Sequence, residues 1–148
     1  MLIDLAAADA LWHEAVAWRG HLDVLVNNAG IYEAARPDGD LAAWRGEDGD
    51  YWHYAAAKAG VVAMTKTIAR QYGRQGVTAF AVAPGFVDTP FNAPAVAEHG
   101  MELFINDTAL GEVAQPQDVA NVIAFLASGK ARHATGATID VNSASYVR

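Results

Sequence analysis

The sequence predicts an α/β domain built on a parallel β-sheet. Two observations carry that prediction. Short apolar runs rich in β-branched residues alternate with longer segments of helical period. Two of these runs then end abruptly in turn-forming residues, as strands that feed a loop or helix do.

The elements follow in order. Met1-Leu2-Ile3-Asp4-Leu5 reads as the end of a short strand. A helical pattern starts at Asp9, a candidate N-cap, with Leu11, Trp12, Ala15, Val16 and Trp18 on its apolar side and Gly20 as terminator. Leu22–Val26 is a strand of buried type, closed by Asn27-Asn28-Ala29-Gly30. Residues 33–50, rich in Gly, Pro and acidic side chains, carry the least regular pattern. From Tyr51 to about Gln75 the spacing predicts a long helix with Val61, Val62, Met64, Ile68 and Tyr72 as its apolar stripe. Its second face is small: Ala55, Ala56, Ala57, Gly60 and Ala63. Val77–Val82 is another buried strand, ended by Pro84-Gly85. A loop with short helical stretches fills 86–110. Gln115-Pro116 opens a further helix, with Val119, Val122, Ile123 and Leu126 facing the core, and Ala137–Val141 closes the chain as a strand. The whole of 1–148 reads as a single domain.

Composition narrows the function classes. The chain has 148 residues, 53% hydrophobic and 18% charged, with 10 Lys+Arg against 17 Asp+Glu. That is too apolar for a disordered segment. The acidic balance argues against nucleic acid or an anionic membrane as partner, since both reward clustered cations. No apolar run reaches the roughly 20 residues of a membrane span, and no signal-peptide pattern opens the chain; a cytoplasmic protein is expected. Without cysteine there is no disulfide framework or thiolate chemistry. Serine occurs only at 128, 143 and 145, never in a nucleophile elbow. His13, His21, His53, His99 and His133 have no metal-ligand spacing, so no metal is expected.

Three motifs bear on chemistry. Tyr54 and Lys58 stand four residues apart near a helix start, which places them on one face. A tyrosine phenol is a poor base at neutral pH, but a neighbouring ammonium and the helix N-terminus both favour the phenolate. Such a pair can move a proton on or off an alcohol oxygen; as an isolated feature it is also an ordinary surface pair. Asn27-Asn28-Ala29-Gly30 follows a strand, where open parallel sheets bind ligands. Pro84-Gly85-Phe86-Val87-Asp88-Thr89-Pro90 follows another. Each of these loops, taken alone, is equally a plain turn.

Together and in this order, the motifs resemble the short-chain dehydrogenase/reductase family. Gln115-Pro116-Gln117-Asp118-Val119-Ala120, Phe125-Leu126-Ala127-Ser128 and Thr135-Gly136 before the last strand extend the likeness. The resemblance implies a Rossmann-like, doubly wound parallel sheet, here incomplete, with strands corresponding to the end of the third and to the fourth, sixth and seventh. It implies an NAD(P)-dependent oxidoreductase, using NAD or NADP, that acts on a small carbonyl or alcohol substrate. Tyr54 would be the acid/base and Lys58 would lower its pKa and hold the nicotinamide ribose. Asp4 and Leu5 would meet the adenine, and Asn28, Ala29 and Gly30 would line the cofactor. Pro84, Gly85, Val87 and Thr89 would hold the nicotinamide end. Phe86, Phe91 and the 92–107 segment would form the substrate lid. A homodimer or homotetramer is implied as well.

Two parts of the family pattern are absent. No glycine-rich phosphate turn precedes Asp4, and only 23 residues separate Gly30 from Tyr54. The catalytic serine's position falls on Leu41, and residues 31–53 contain neither Ser nor Thr. The sequence therefore reads as ordered pieces of a longer chain or as a truncated one. The alternative function is a non-catalytic remnant that acts through subunit or partner contacts.

Overall fold

A computed structural model describes residues 9–10, 13–14, 16–18, 24–26 and 52–146, with side chains described from Ala56 in the last segment. The chain divides into two units, Met1–Ile31 and Tyr32–Arg148.

In the first unit, the described residues between 9 and 18 are helical, as the spacing predicts. Asp9 is itself inside the helix, and its carboxylate lies 3.6 Å from His13 Nε2, one turn on. The expected strand at Leu22–Val26 is not formed in its described part. Residues 24–26 belong to no ladder, and Val24, Leu25 and Val26 are exposed, Leu25 at 71%. A β-branched run becomes a strand only when a neighbour accepts its backbone hydrogen bonds.

The second unit begins with α1, Trp52–Tyr72. Arg70 in its last turn complements the helix dipole. A single 3-10 turn, Gly73–Gln75, ends it, and Gly76 at φ 89° provides the left-handed exit that an L side chain resists. The buried side of α1 is not the predicted stripe. Thr65 and Ala69 are buried, with Val62 and Ile68 partly so, while Val61, Met64 and Tyr72 are exposed. Small residues win the inner face because the chain comes close there: a Cβ on Gly136 would lie 3.4 Å from Ala69 Cβ. Buried Thr65 satisfies its hydroxyl by donating to the Val61 carbonyl at 2.8 Å.

Strand β1, Ala81–Pro84, pairs in parallel with β2, Thr138–Val141, in the register Ala81↔Thr138 to Pro84↔Val141. The pairing starts later than the predicted Val77–Val82. Ahead of it, Ala79 N–H donates to the Thr135 hydroxyl at 3.0 Å and Gly136 N–H to the Ala79 carbonyl at 2.7 Å. A turn-type contact thus occupies the groups a longer ladder would need.

Between the strands lie α2, Ala93–His99, α3, Met101–Asn106, and α4, Pro116–Ala127. Pro90–Asn92 is a 3-10 turn before α2, and Gly100 at φ 79° separates α2 from α3. The start of α4 is a capping box: Gln115 N–H donates to Asp118 Oδ2 at 2.8 Å, with Pro116 in the first turn. Both α1 and α4 pack on β1. Ala81, Ala69, Leu126 and Phe104 are the buried apolar residues among those described.

After β2 the chain turns through Ser143 (φ 50°) and Ala144 (φ 58°), two consecutive non-glycine residues in the left-handed region. Each such residue costs roughly 1–2 kcal/mol. The turn persists because it is tied: Ala144 N–H donates to Asn142 Oδ1 at 3.1 Å, Asn142 Nδ2 to the Tyr146 carbonyl at 2.9 Å, and Ala109 N–H to the Ser143 carbonyl at 2.8 Å.

Two stability predictions follow from these local geometries. Ala144→Gly removes the left-handed penalty at a smaller entropic cost, so denaturant unfolding should show about 0.5–1 kcal/mol of added stability. Asp118→Ala opens the capping box and should lower stability by about 1 kcal/mol in the same assay.

Candidate functional site

The C-terminal end of β1 is where this fold gathers its candidate chemistry. Pro84 is the strand's last residue, and its missing N–H costs the β1–β2 ladder nothing, because the amides that donate to β2 are those of alternate residues, Ala81 and Gly85 among them. Gly85 follows, buried, and still donates to the Val141 carbonyl at 3.1 Å. A Cβ here would stand 2.8 Å from Asn142 Cβ, 2.9 Å from Asn142 Cα and 3.3 Å from Ser145 Oγ. Glycine is therefore required at 85 by the strained turn behind it.

Beyond Gly85 the loop is pinned on its other side. Val87 makes an isolated parallel bridge with Ala114: Ala114 N–H donates to the Phe86 carbonyl at 3.3 Å and Asp88 N–H to the Ala114 carbonyl at 2.9 Å. The Val87 carbonyl also accepts from Asn92 Nδ2 at 2.7 Å, and Thr89 Oγ1 lies 3.5 Å from the same oxygen. Carbonyl oxygens have two acceptor sites. The loop is thus held rigid by three neighbours before any ligand arrives.

Thr89 is half-buried and borders a groove of about 440 Å³ lined by Asp88, Thr89, Pro90, Ala93, Val96, Ala97 and Met101. Helix α2 supplies its floor because Ala93, Val96 and Ala97 recur at three- and four-residue spacing. The sequence reading placed 92–107 near substrate but did not single out these side chains. Their helical spacing was the available signal.

The predicted site residues fall into four groups. Asp4, Leu5, Asn28, Ala29 and Gly30 lie outside the described residues. Tyr54 and Lys58 are both on α1, four residues apart, Tyr54 in the first turn and Lys58 half-buried. Pro84, Gly85, Val87 and Thr89 are brought together at the strand end. Of the two aromatic residues, Phe86 stacks on Phe104 with ring centroids 3.8 Å apart and planes at 24°, and does not line the groove. Phe91 is 62% exposed and is not part of the groove wall either. Among the described residues, no group of three or more His, Cys, Asp or Glu is placed to hold a metal ion, and no helix is long and apolar enough to cross a membrane.

A parallel strand thus ends in a pinned Pro-Gly loop and packs against the helix that carries Tyr54 and Lys58. Comparison with known proteins gives the family. The family described as Enoyl-(Acyl carrier protein) reductase matches residues 41–143. The chain belongs to the short-chain dehydrogenase/reductase family. It is similar to the 3-oxoacyl-[acyl-carrier-protein] reductase of Pseudomonas aeruginosa, 41% identical over 95 residues, covering 64% of this chain and 38% of that protein. It is also similar to the cyclohexanol dehydrogenase of a Rhodococcus species, 43% identical over 105 residues, covering 70% of this chain and 39% of that one. A solved short-chain dehydrogenase/reductase structure from Brucella melitensis, titled glucose/ribitol dehydrogenase, superposes with a TM-score of 0.65 at 34% identity. The superposition covers 73% of this chain and 43% of the other. The chain thus spans about two fifths of the length of these relatives.

The packing at Gly85 sets a testable contrast. Gly85→Ala drives a methyl group into Asn142 backbone and Cβ and should destabilise the fold by about 1–3 kcal/mol. Gly60→Ala, in the middle of α1 with nothing within 4 Å of the new methyl, should instead stabilise it by roughly 0.5–1 kcal/mol. Paired denaturant titrations measure both.

Proposed function

We propose that the chain carries the proton-transfer and nicotinamide-end machinery of an NAD(P)-dependent oxidoreductase acting on a carbonyl/secondary-alcohol pair. The observation that supports it best is the rigid Pro84–Thr89 loop at the end of β1, bordering an apolar groove, in a chain whose α1 opens with Tyr54 and Lys58.

The donor set fits the nicotinamide end of such a cofactor. The Val87 backbone and the Thr89 hydroxyl can bind a carboxamide, and the Lys58 ammonium can donate to ribose hydroxyls. The bound nicotinamide supplies or takes up a hydride, one hydrogen with an electron pair. In the reductive direction Tyr54 would give its phenolic proton to the carbonyl oxygen as the carbonyl carbon is reduced, so that C=O would become CH–OH. In the oxidative direction Tyr54, as phenolate, accepts the hydroxyl proton. Lys58 favours the phenolate through its positive charge, and the partial positive charge of the α1 N-terminus acts in the same sense. Ordering of the 85–89 loop by Asn142, Ala114 and Asn92 means little reorganisation is needed when the cofactor docks.

Turnover should fall by roughly 10²–10⁴-fold in Tyr54→Phe, with affinity for the cofactor largely kept. Lys58→Ala should weaken both. Fluorescence titration with NADH and NADPH together with initial rates separates the two effects. Unchanged turnover in Tyr54→Phe removes that residue from the chemistry, and an effect of Lys58→Ala on neither quantity removes Lys58 from the site.

The exposed face of α1 supports a second reading, a non-catalytic role through contacts with another subunit. Val61 and Met64 lie exposed beside Ala57 and Gly60, a surface suited to close helix packing. A folded chain that associates in sedimentation experiments but binds neither nucleotide would favour this role over catalysis.

A further inference from the structure

The groove beside Thr89 combines an apolar wall with an unusual charge environment. Its lining contributes Pro90, Ala93, Val96, Ala97 and Met101 as apolar surface, with the Thr89 hydroxyl and the Asp88 carboxylate as its polar groups. Among the described residues, no lining residue is cationic. The surrounding sequence extends this bias: from Gln75 to Gly129 there is no Lys or Arg, while Asp88, Glu98, Glu102, Asp107, Glu112 and Asp118 all fall in that stretch. Glu98 and Glu102 directly follow the lining residues Ala97 and Met101, and both are exposed. The one histidine of the stretch, His99, lies 3.9 Å from Glu98.

The cations of this unit's described part are distributed the other way. Lys66 and Arg70 flank a separate groove with Ala69, Thr135 and Gly136, just ahead of β2. Arg74 lies in the connection that leads into β1, and Lys130 and Arg132 in the one that leads into β2. Because the strands run parallel, both connections enter at the strand N-terminal end, opposite the Pro84–Thr89 loop. Lys58, already assigned to the proton-transfer pair, is the exception.

We propose that the groove selects a small, uncharged, mainly apolar ketone or secondary alcohol and discriminates against a reacting group carried on a polyanion such as coenzyme A. The inference rests on the hydride-transfer reading above and narrows its substrate class. An apolar substituent gains by covering Val96, Ala97 and Met101. A polyanionic carrier approaching the groove meets Asp88 in its lining and the exposed Glu98 and Glu102 one residue further along the chain, with no cation among the described lining residues to offset them, and like charges brought together at an interface are strongly disfavoured.

The test uses the purified chain with 2-heptanone and acetoacetyl-CoA as probes. Saturation-transfer NMR follows binding of each, and initial rates with NADH and NADPH follow turnover. Saturable 2-heptanone binding that Ala97→Trp abolishes is expected, with circular dichroism confirming that the variant is folded. Turnover should favour the neutral ketone by about tenfold or more in kcat/KM. Glu98→Lys combined with Glu102→Lys should narrow that preference by improving the thioester. Ketone binding that persists in Ala97→Trp overturns the groove assignment. A thioester used as well as the ketone, or a preference unmoved by charge reversal, overturns the selectivity. Groove-dependent ketone binding without cofactor binding or turnover supports the groove assignment and counts against the hydride-transfer reading, so the two failures are distinguishable.

Discussion

Among the described residues, the tightest glycine contact is the approach of Gly85 to Asn142. The first residue after β1 and the first after β2 come together so tightly that no Cβ fits between them. On one side of that contact, the 142–146 turn is held in left-handed backbone by the amide of Asn142. That turn in turn anchors the chain after α3 through the Ala109–Ser143 hydrogen bond. On the other side, the loop runs from Gly85 to a second anchor at Ala114 just before α4. Both flanks of the groove segment are therefore fastened to the strand ends by backbone hydrogen bonds. Backbone anchoring resists sequence change better than side-chain contacts do, since every residue except proline supplies the same donor and acceptor.

The proposed function builds on that fastening. An acid/base on α1 is useful only if a reacting carbonyl can be held at a reproducible distance from it, and misplacement by even an ångström is costly. The loop after β1 is rigid through Asn142, Ala114 and Asn92. Beyond it, α2 and α3 are short helices broken at Gly100, with one buried apolar anchor, Phe104, stacked on Phe86. Under the proposed function, a firmly held loop next to short helical walls would keep the cofactor end constant while the groove varies in shape and charge. Among the described residues, Lys66, Arg70, Arg74, Lys130 and Arg132 lie toward the strand ends opposite the groove that Asp88 lines, with Lys58 the exception, and charge distributions of this kind bias which ligands approach.

Much of the fold was legible because local chemistry agrees with tertiary structure. Gln115-Pro116 with Asp118 marks the start of α4 through a cap that needs nothing beyond three residues. Pro84-Gly85 marks the end of β1, and Gly76 the exit from α1. Failures occurred where a partner decides the outcome. Val24, Leu25 and Val26 have strand-like composition yet no ladder in the described part. Val61 and Met64 share the helical stripe with Val62 and Ile68, but which edge of a stripe is buried depends on where Gly136 comes close. Phe86 shows what only packing decides at the site: the family resemblance implies a substrate role for it, and the structure adds that its ring stacks on Phe104.

The sequence by itself determined the alternation of strands and helices, the Tyr54–Lys58 spacing, the turn chemistry at Pro84-Gly85 and the absence of cations from 75 to 129. These are properties of neighbours along the chain, readable from propensity, period and composition. Only the tertiary structure decided that Gly85 faces Asn142, that Ala69 rather than Met64 is covered, and that Ala93, Val96, Ala97 and Met101 share one groove with Thr89. Those outcomes depend on contacts between residues distant in sequence or on how a helix is rotated against its neighbours, and packing settles them through excluded volume and hydrogen-bond closure.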